Sequence, residues 1–271
     1  MQNKGFHKLY CIGKILPHKN IRISKMTMLV LGASGKTGRL VVSQLLKEKQ
    51  VVRVIVRSEK KFYESLPESV IQDNNLMITE ASLLELPSVL LNDLIKDCHA
   101  VISCLGHNLT IKGMYGQPRR LVTESVKQLC QLINSDTPAS KPIKFILMNT
   151  TGNQNKHMGE KISKSEEIVM ILLRLLVPPH LDNEKASQYL QDNFIKGQSR
   201  IEWVIVRPDS LTDERLVTNY EIHDKPIRSA IFDAGITSRI NVANFISTLA
   251  SNEQVFNQWK YKMPVIYNAD I

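Results

Sequence analysis

No stretch of this 271-residue chain is long and apolar enough to cross a bilayer: the best candidate, residues 168–177, is too short, carries Arg174 and stops at Pro178-Pro179. A disulfide framework is missing as well. The four cysteines, Cys11, Cys98, Cys104 and Cys130, form no C-x-x-C pair and no secretory signal precedes them, so they read as reduced thiols of a cytoplasmic protein. Cys104 is expected as a buried strand end, with a reactive thiol as the lesser alternative. No His, Cys, Asp and Glu spacing suits a metal. A triphosphate-binding loop is also absent, because Gly35-Lys36-Thr37 imitates its tail while the glycine needed five residues earlier is Val30.

Acids are lacking in one region only. Residues 1–25 hold six Lys or Arg and no Asp or Glu, so most of the net charge of +9 sits there and the rest is mildly basic. That distribution argues against a nucleic-acid partner. The leader reads as a flexible tail, a weak organelle-targeting segment or sequence upstream of a start at Met26, and a dispensable extension is the reading favoured here. Residues 26–271 are expected to form one domain.

What the chain does contain is an apolar run at 28–31 broken by glycine, a helical pattern from Lys36 to about Glu48, and a second apolar run at 51–56. This is a βαβ unit of about thirty residues, the context in which a glycine motif acquires meaning. The motif is Gly32-Ala33-Ser34-Gly35-Lys36-Thr37-Gly38. Its first glycine can turn the chain, its second lets backbone approach a pyrophosphate, and its third lets helix and strand pack closely. Gly32, Ser34, Gly35, Lys36, Thr37 and Gly38 are therefore candidate cofactor-binding residues, with free amides at the helix start holding phosphate.

Further strands are expected at 76–79, 100–104, 143–148 and 203–206, with a last one at 264–267. Helices are expected near 88–96, 119–133, 163–176, 182–194 and 242–250. Such alternation implies an α/β fold, a Rossmann-type doubly wound parallel sheet with ligands beyond the carboxyl ends of its strands. Residues 212–238 are the least regular and read as a small irregular lobe over those ends. The second strand ends in Arg57 and Ser58, where a carboxylate would select the unphosphorylated dinucleotide. An Arg–phosphate contact contributes roughly 1.5–3 kcal/mol, so NADP(H) is expected over NAD(H), unless Arg57 is only a solvated strand-end charge.

Residues 32–38, Val54-Ile55-Val56-Arg57, Val101-Ile102-Ser103-Cys104-Leu105-Gly106, Phe145 to Gly152 and Trp203-Val204-Ile205-Val206-Arg207-Pro208 together resemble the atypical short-chain dehydrogenase/reductases. The likeness is to the NAD(P)-binding branch of NmrA-like proteins and biliverdin-IXβ/flavin reductases. It implies that Leu105, Gly106 and His107 lie beside the cofactor and that Thr150 lies near the nicotinamide, as a catalytic candidate or as a mere turn cap. It also implies that an Arg207-Pro208 turn closes the other side, with Asp209 and Ser210, like His107, within reach of substrate. His107 and His157 are the histidines best placed to titrate near strand ends, though either can be an ordinary loop residue.

The wider superfamily's Tyr-x-x-x-Lys pair does not follow the resemblance. Among seven tyrosines only Tyr10 and Lys14 show the spacing, ahead of the first strand. Two functions stay open: an NADPH-dependent oxidoreductase acting on a planar flavin-, quinone- or tetrapyrrole-like acceptor, or a non-catalytic NADP(H) sensor that contacts a protein partner.

Overall fold

The computed structural model describes residues 25–107, 110, 115–135 and 141–269. All but the last residue of the expected leader lies outside that set. The first strand, β1 (Thr27–Leu31), runs through the middle of an eight-stranded sheet with β2 (Val51–Val56) and β3 (Leu76–Glu80) on one side. On the other side lie β4 (Cys98–Ser103), β5 (Ile143–Met148) and β6 (Ile201–Pro208). The strand order is β3-β2-β1-β4-β5-β6, followed by two further strands described below, and all six run parallel.

Both faces of the sheet are covered at its centre, which is why β1, β4, β5 and β6 are largely buried runs with little alternation. Met28 and Val30 face one cluster, with Val41 and Leu45 of α1 (Lys36–Lys47) and Phe245 and Leu249 of α8 (Arg239–Ser251). Leu29 and Leu31 face the other, with Val126 and Leu129 of α5 (Leu121–Ser135) and Ala186 and Leu190 of α7 (Pro178–Asn193). Each of the larger side chains among these contributes roughly 1.5–3 kcal/mol by leaving water. Short helices α2 (Glu59–Glu64), α3 (Glu68–Ile71) and α4 (Ser88–Ile95) complete the first half.

Three expectations are corrected. The helix expected from 182 begins at Pro178, and the prolines read as a stop are also a start. α6 (Lys164–Leu176) ends before them, and both prolines occupy the first turn of α7, where a missing N–H is harmless. Arg207 and Pro208 do not form a turn but end β6. The supposed lobe at 212–238 is only partly separate. β7 (Ser210–Thr212) pairs with β9 (Ile236–Ser238), but β8 (Tyr220–His223) joins the main sheet as its edge, antiparallel to β10 (Val265–Asn268), which itself lies parallel to β6. Buried Tyr220 and Ile222 alternate with part-exposed Glu221 and His223, the pattern of a half-covered strand. Helix α9 (Glu253–Trp259) precedes β10.

Candidate functional site

The chain reverses its direction of travel across the sheet between β1 and β4, and the glycine turn stands at that crevice. Gly32 has φ of +70°, and a Cβ there would lie 2.4 Å from the Cys104 carbonyl oxygen, so the ends of β1 and β4 approach as closely as they do only because the residue is glycine. The Gly35 N–H donates to the Gly32 carbonyl at 2.9 Å. A Cβ on Gly38 would sit 2.2 Å from that same carbonyl oxygen, so the third glycine seats α1 on the turn. No side chain caps α1 and no acid stands in its first turn. Its leading amides and the positive end of its dipole face the crevice with nothing anionic of their own, and the backbone fits a pyrophosphate.

Lys36 and Thr37 open that helix, Thr37 buried and Ser34 exposed in the turn before it. The Lys36 ammonium is held 2.8 Å from Asp213, which lies after β7, and Asp213 also meets Arg239 Nη1 at 2.9 Å. The hydrogen bond from Lys36, backed by Arg239, lowers the Asp213 carboxyl below its ordinary range. Arg57 stands exposed at the end of β2 with no ion-pair partner among the described residues. Ser58 caps α2 by accepting from the Lys61 N–H, and the Glu59 N–H donates to Glu80 Oε2 at 2.7 Å. Glu80, at the end of the neighbouring strand, is thus engaged with backbone.

The ends of β4, β5 and β6 are knit together. Leu105 is half-buried and Gly106 has open space around it. His107 turns inward, its Nε2 2.8 Å from Asp182 Oδ2, with side chains 4% and 0% exposed. Asp182 accepts the N–H groups of Val122 and Thr123 at 2.8 and 3.0 Å, capping α5 from α7. After β5, the Thr150 hydroxyl accepts from the Gly152 N–H at 3.3 Å, and the Asn149 amide donates to the Asn183 carbonyl of α7. Asn153 reaches Ser187 on the same helix.

Arg207 is fully buried and grips Glu160 through both terminal nitrogens at 2.7 Å, with further bonds to the Met263 and Asn153 carbonyls. Its guanidinium is committed to holding the loop after β5, and Pro208 accepts from the Thr151 N–H. Asp209 accepts from Gly235 and Ser210 amides, and burial raises its carboxyl despite those bonds. Ser210 is exposed on β7. His157 pairs with Asp192 on the exposed surface. Cys104 is part-buried just past the end of β4 and is not a buried strand end, and burial pushes its thiol up to about 12, which disfavours the thiolate.

One residue at this end escaped the sequence reading. A Cβ on Gly152 would find His180 Cε1 at 3.4 Å and both Thr150 Oγ1 and the Met170 methyl at 3.8 Å, so His180 of α7 overlooks the turn after β5. Its Nε2 lies 3.4 Å from Glu184 Oε1, and Arg174 of α6 holds Glu184 with bonds of 2.8 Å. Burial works to raise the Glu184 carboxyl, but the nearness of His180 and the hydrogen bonds and charge of Arg174 outweigh it and hold the group at about 2. The sequence carries one signal for it, His180 and Glu184 four apart on one helix face. A cavity of about 1500 Å³ opens from Thr151 and Gln154 along the β8 edge to Trp259 and does not include the glycine turn.

Residues 32–253 match the profile of a family described as NAD(P)H-binding. No curated protein matches the chain. Among solved structures, an NADH-flavin reductase candidate from Streptococcus pneumoniae superposes with a TM-score of 0.62 at 17% identity, over 90% of this chain and 100% of that one. ChuY, an anaerobilin reductase from Escherichia coli O157:H7, gives 0.61 at 16% identity, over 91% and 98%. A candidate NAD-dependent epimerase/dehydratase from Bacillus halodurans gives 0.62 at 18%, over 90% and 95%. At these identities the structures establish the shared fold.

Proposed function

The chain belongs to the NAD(P)H-binding family, and from that premise we propose that it is an NADPH-dependent reductase of a planar flavin-, quinone- or tetrapyrrole-like acceptor. What carries the reading is an asymmetry in how polar groups are used. Among the described residues Arg57 has no ion-pair partner, and the first amides of α1 have no side-chain cap. A cation at the end of β2 and an open helix start one strand away suit a 2′-phosphate and a pyrophosphate on the same dinucleotide. Gly32, Ser34, Gly35, Lys36, Thr37 and Gly38 would hold the diphosphate, Arg57 and Ser58 the ribose phosphate, and Leu105, Gly106 and Thr150 the nicotinamide end.

A bound nicotinamide supplies hydride; the chain supplies orientation and a dry setting. Hydride transfer to an extended electron-poor ring asks first for stacking and alignment. The acceptor class is drawn from the flavin and anaerobilin reductases of the same fold. We place the protein in the reducing cytoplasm, on three unpaired thiols, Cys98, Cys104 and Cys130.

Fluorescence titration with NADPH and NADH, followed by an acceptor screen, tests the proposal. Arg57→Glu is expected to abolish a preference for NADPH of about tenfold or more, the equivalent of roughly 1.5–3 kcal/mol for a charge-assisted contact. An unchanged preference defeats the cofactor assignment, and NADPH binding without reduction of any flavin, quinone or tetrapyrrole defeats the reaction. In that event the second reading, an NADP(H) sensor, gains from the pairing of His107, Thr150 and Arg207 within the protein. Its mark is unequal affinity for NADP⁺ and NADPH without turnover.

A further inference from the structure

α6 turns ionic side chains inward and leaves aliphatic ones in solvent. Ile168 and Leu175 on its outer face are 62% and 72% exposed, while Glu166 and Arg174 turn inward beside buried Met170. A helix laid on a wholly apolar interior keeps its aliphatic residues inward. The groups beneath α6 include a polar set: Ser229 donates to Glu166 at 2.6 Å, Arg174 grips Glu184, and Glu184 faces His180. A buried ionic network of this sort is seldom more stable than apolar packing of the same volume, and α6 has the aliphatic residues for that packing on its other face. His180 Nε2 is buried without a hydrogen-bond partner of good geometry, its ring beside Gly152 and within reach of the same point as the Thr150 hydroxyl.

We infer that His180, seated on Glu184, is the proton donor of this site, with Arg174 a positioning residue that fixes the Glu184 carboxylate. The inference rests on the reductase reading above. In that reaction the acceptor takes two electrons with the hydride from NADPH, and its reduced heteroatom takes one proton from the His180 imidazolium. Neutral His180 then regains a proton from solvent, so NADPH, a proton and acceptor give NADP⁺ and reduced acceptor. The charged groups facing His180 are Glu184 on its own helix and, through it, Arg174 on α6, and Gly152 of the β5 turn lies against its ring with Thr150 nearby.

The test uses the full chain with histidine labelled with ¹³C at Cε1. The resonance lost in His180→Gln is followed on addition of NADP⁺, and turnover of the best acceptor is measured from pH 5 to 9. The expected results are a shifted His180 resonance on NADP⁺ binding and a kcat in His180→Gln lower by a hundredfold or more. The NADPH KM should stay within twofold, and kcat is expected to fall at high pH in wild type and to lose that fall in His180→Gln. Gly152→Ala covers the case in which that variant does not fold: its methyl makes ordinary contacts of 3.4–3.8 Å, so the fold should survive, while the space between Thr150 and His180 is filled, moving the same resonance and lowering kcat. A resonance unmoved by bound NADP⁺, or variants with wild-type kcat and pH profile, would overturn the inference while leaving the reductase reading intact. Failure of wild type to bind NADPH or reduce any acceptor removes both.

Discussion

Gly38→Ala sets two physical effects of opposite sign against each other. Gly38 lies in the first turn of α1, and alanine is the better helix former by about 1 kcal/mol. On propensity alone the substitution stabilises. The Cβ it adds, however, would fall 2.2 Å from the Gly32 carbonyl oxygen, 2.8 Å from its carbon and 3.1 Å from the Ala33 Cα, all of them backbone. None can rotate away, so the start of α1 must lift from the turn by about 1 Å to reach ordinary contact. Overpacking of this kind costs roughly 1–3 kcal/mol. The net expectation is a loss of up to about 2 kcal/mol, a fall in melting temperature of up to about 8 °C for a domain of this size. Binding should suffer more, since a displacement of about 1 Å at a positioning group can reduce function by about a hundredfold. Calorimetry and NADPH fluorescence titration read the two effects separately. Gly106→Ala is the stability control, because its new Cβ meets nothing within 4 Å. A Gly38→Ala protein that melts higher than wild type and binds NADPH equally well would refute the role given to the glycine turn.

Three other perturbations follow from the pairings at the strand ends. Asp213→Asn releases Lys36 and Arg239 beside the glycine turn, so NADPH should bind a few-fold more tightly at low ionic strength; because all three side chains reach solvent, the gain should vanish at about 0.5 M salt, as titrations at two salt concentrations would show. Asp182→Asn removes a buried carboxylate that caps α5 and faces His107, and urea unfolding should show a loss of about 3–5 kcal/mol. Glu184 has a folded pKa of about 2 against an ordinary 4.5, so its contribution is full above pH 4.5 and is lost as pH falls toward 2; Glu184→Gln should flatten the acid limb of a stability-against-pH curve over that window and leave its alkaline limb unchanged.

The central sheet was legible because its strands are buried on both sides, as the run from Met28 to Leu31 shows, and so declare themselves without alternation. The glycine turn was legible because steric exclusion of a Cβ leaves a mark in the sequence at Gly32 and Gly38. β8 was not, since four residues of alternating pattern between Asn219 and Asp224 look like loop until β10 supplies the partner. Pro178 and Pro179 misled because proline ends one helix and begins the next by the same chemistry. Arg207 misled for another reason. A strand-end arginine looks available to a ligand, and nothing local reveals that Glu160, forty-seven residues earlier, folds back to claim it.

That last case separates the two ends of the crevice. Toward the adenosine end, in the reading advanced above, polar groups are left open: Arg57 has no ion-pair partner among the described residues, and α1 begins without a side-chain cap. Toward the nicotinamide end they are paired off: His107 with Asp182, Thr150 with the Gly152 amide, Arg207 with Glu160. On the proposed reading such a site would bind a dinucleotide with little rearrangement, because few of the groups that would hold the phosphates have internal partners: Lys36 in its exposed pair with Asp213, Gly35 through its N–H to the Gly32 carbonyl, and Ser58 as the cap of α2. Chemistry at the other end is restricted to groups whose existing contacts are poor, and by that criterion His180, 3.4 Å from Glu184 and lacking a hydrogen bond of good geometry, is better placed to act than His107, locked at 2.8 Å. The two histidines should therefore respond differently: His107→Gln should lower stability first and turnover only as a consequence, whereas His180→Gln should lower turnover with little effect on melting.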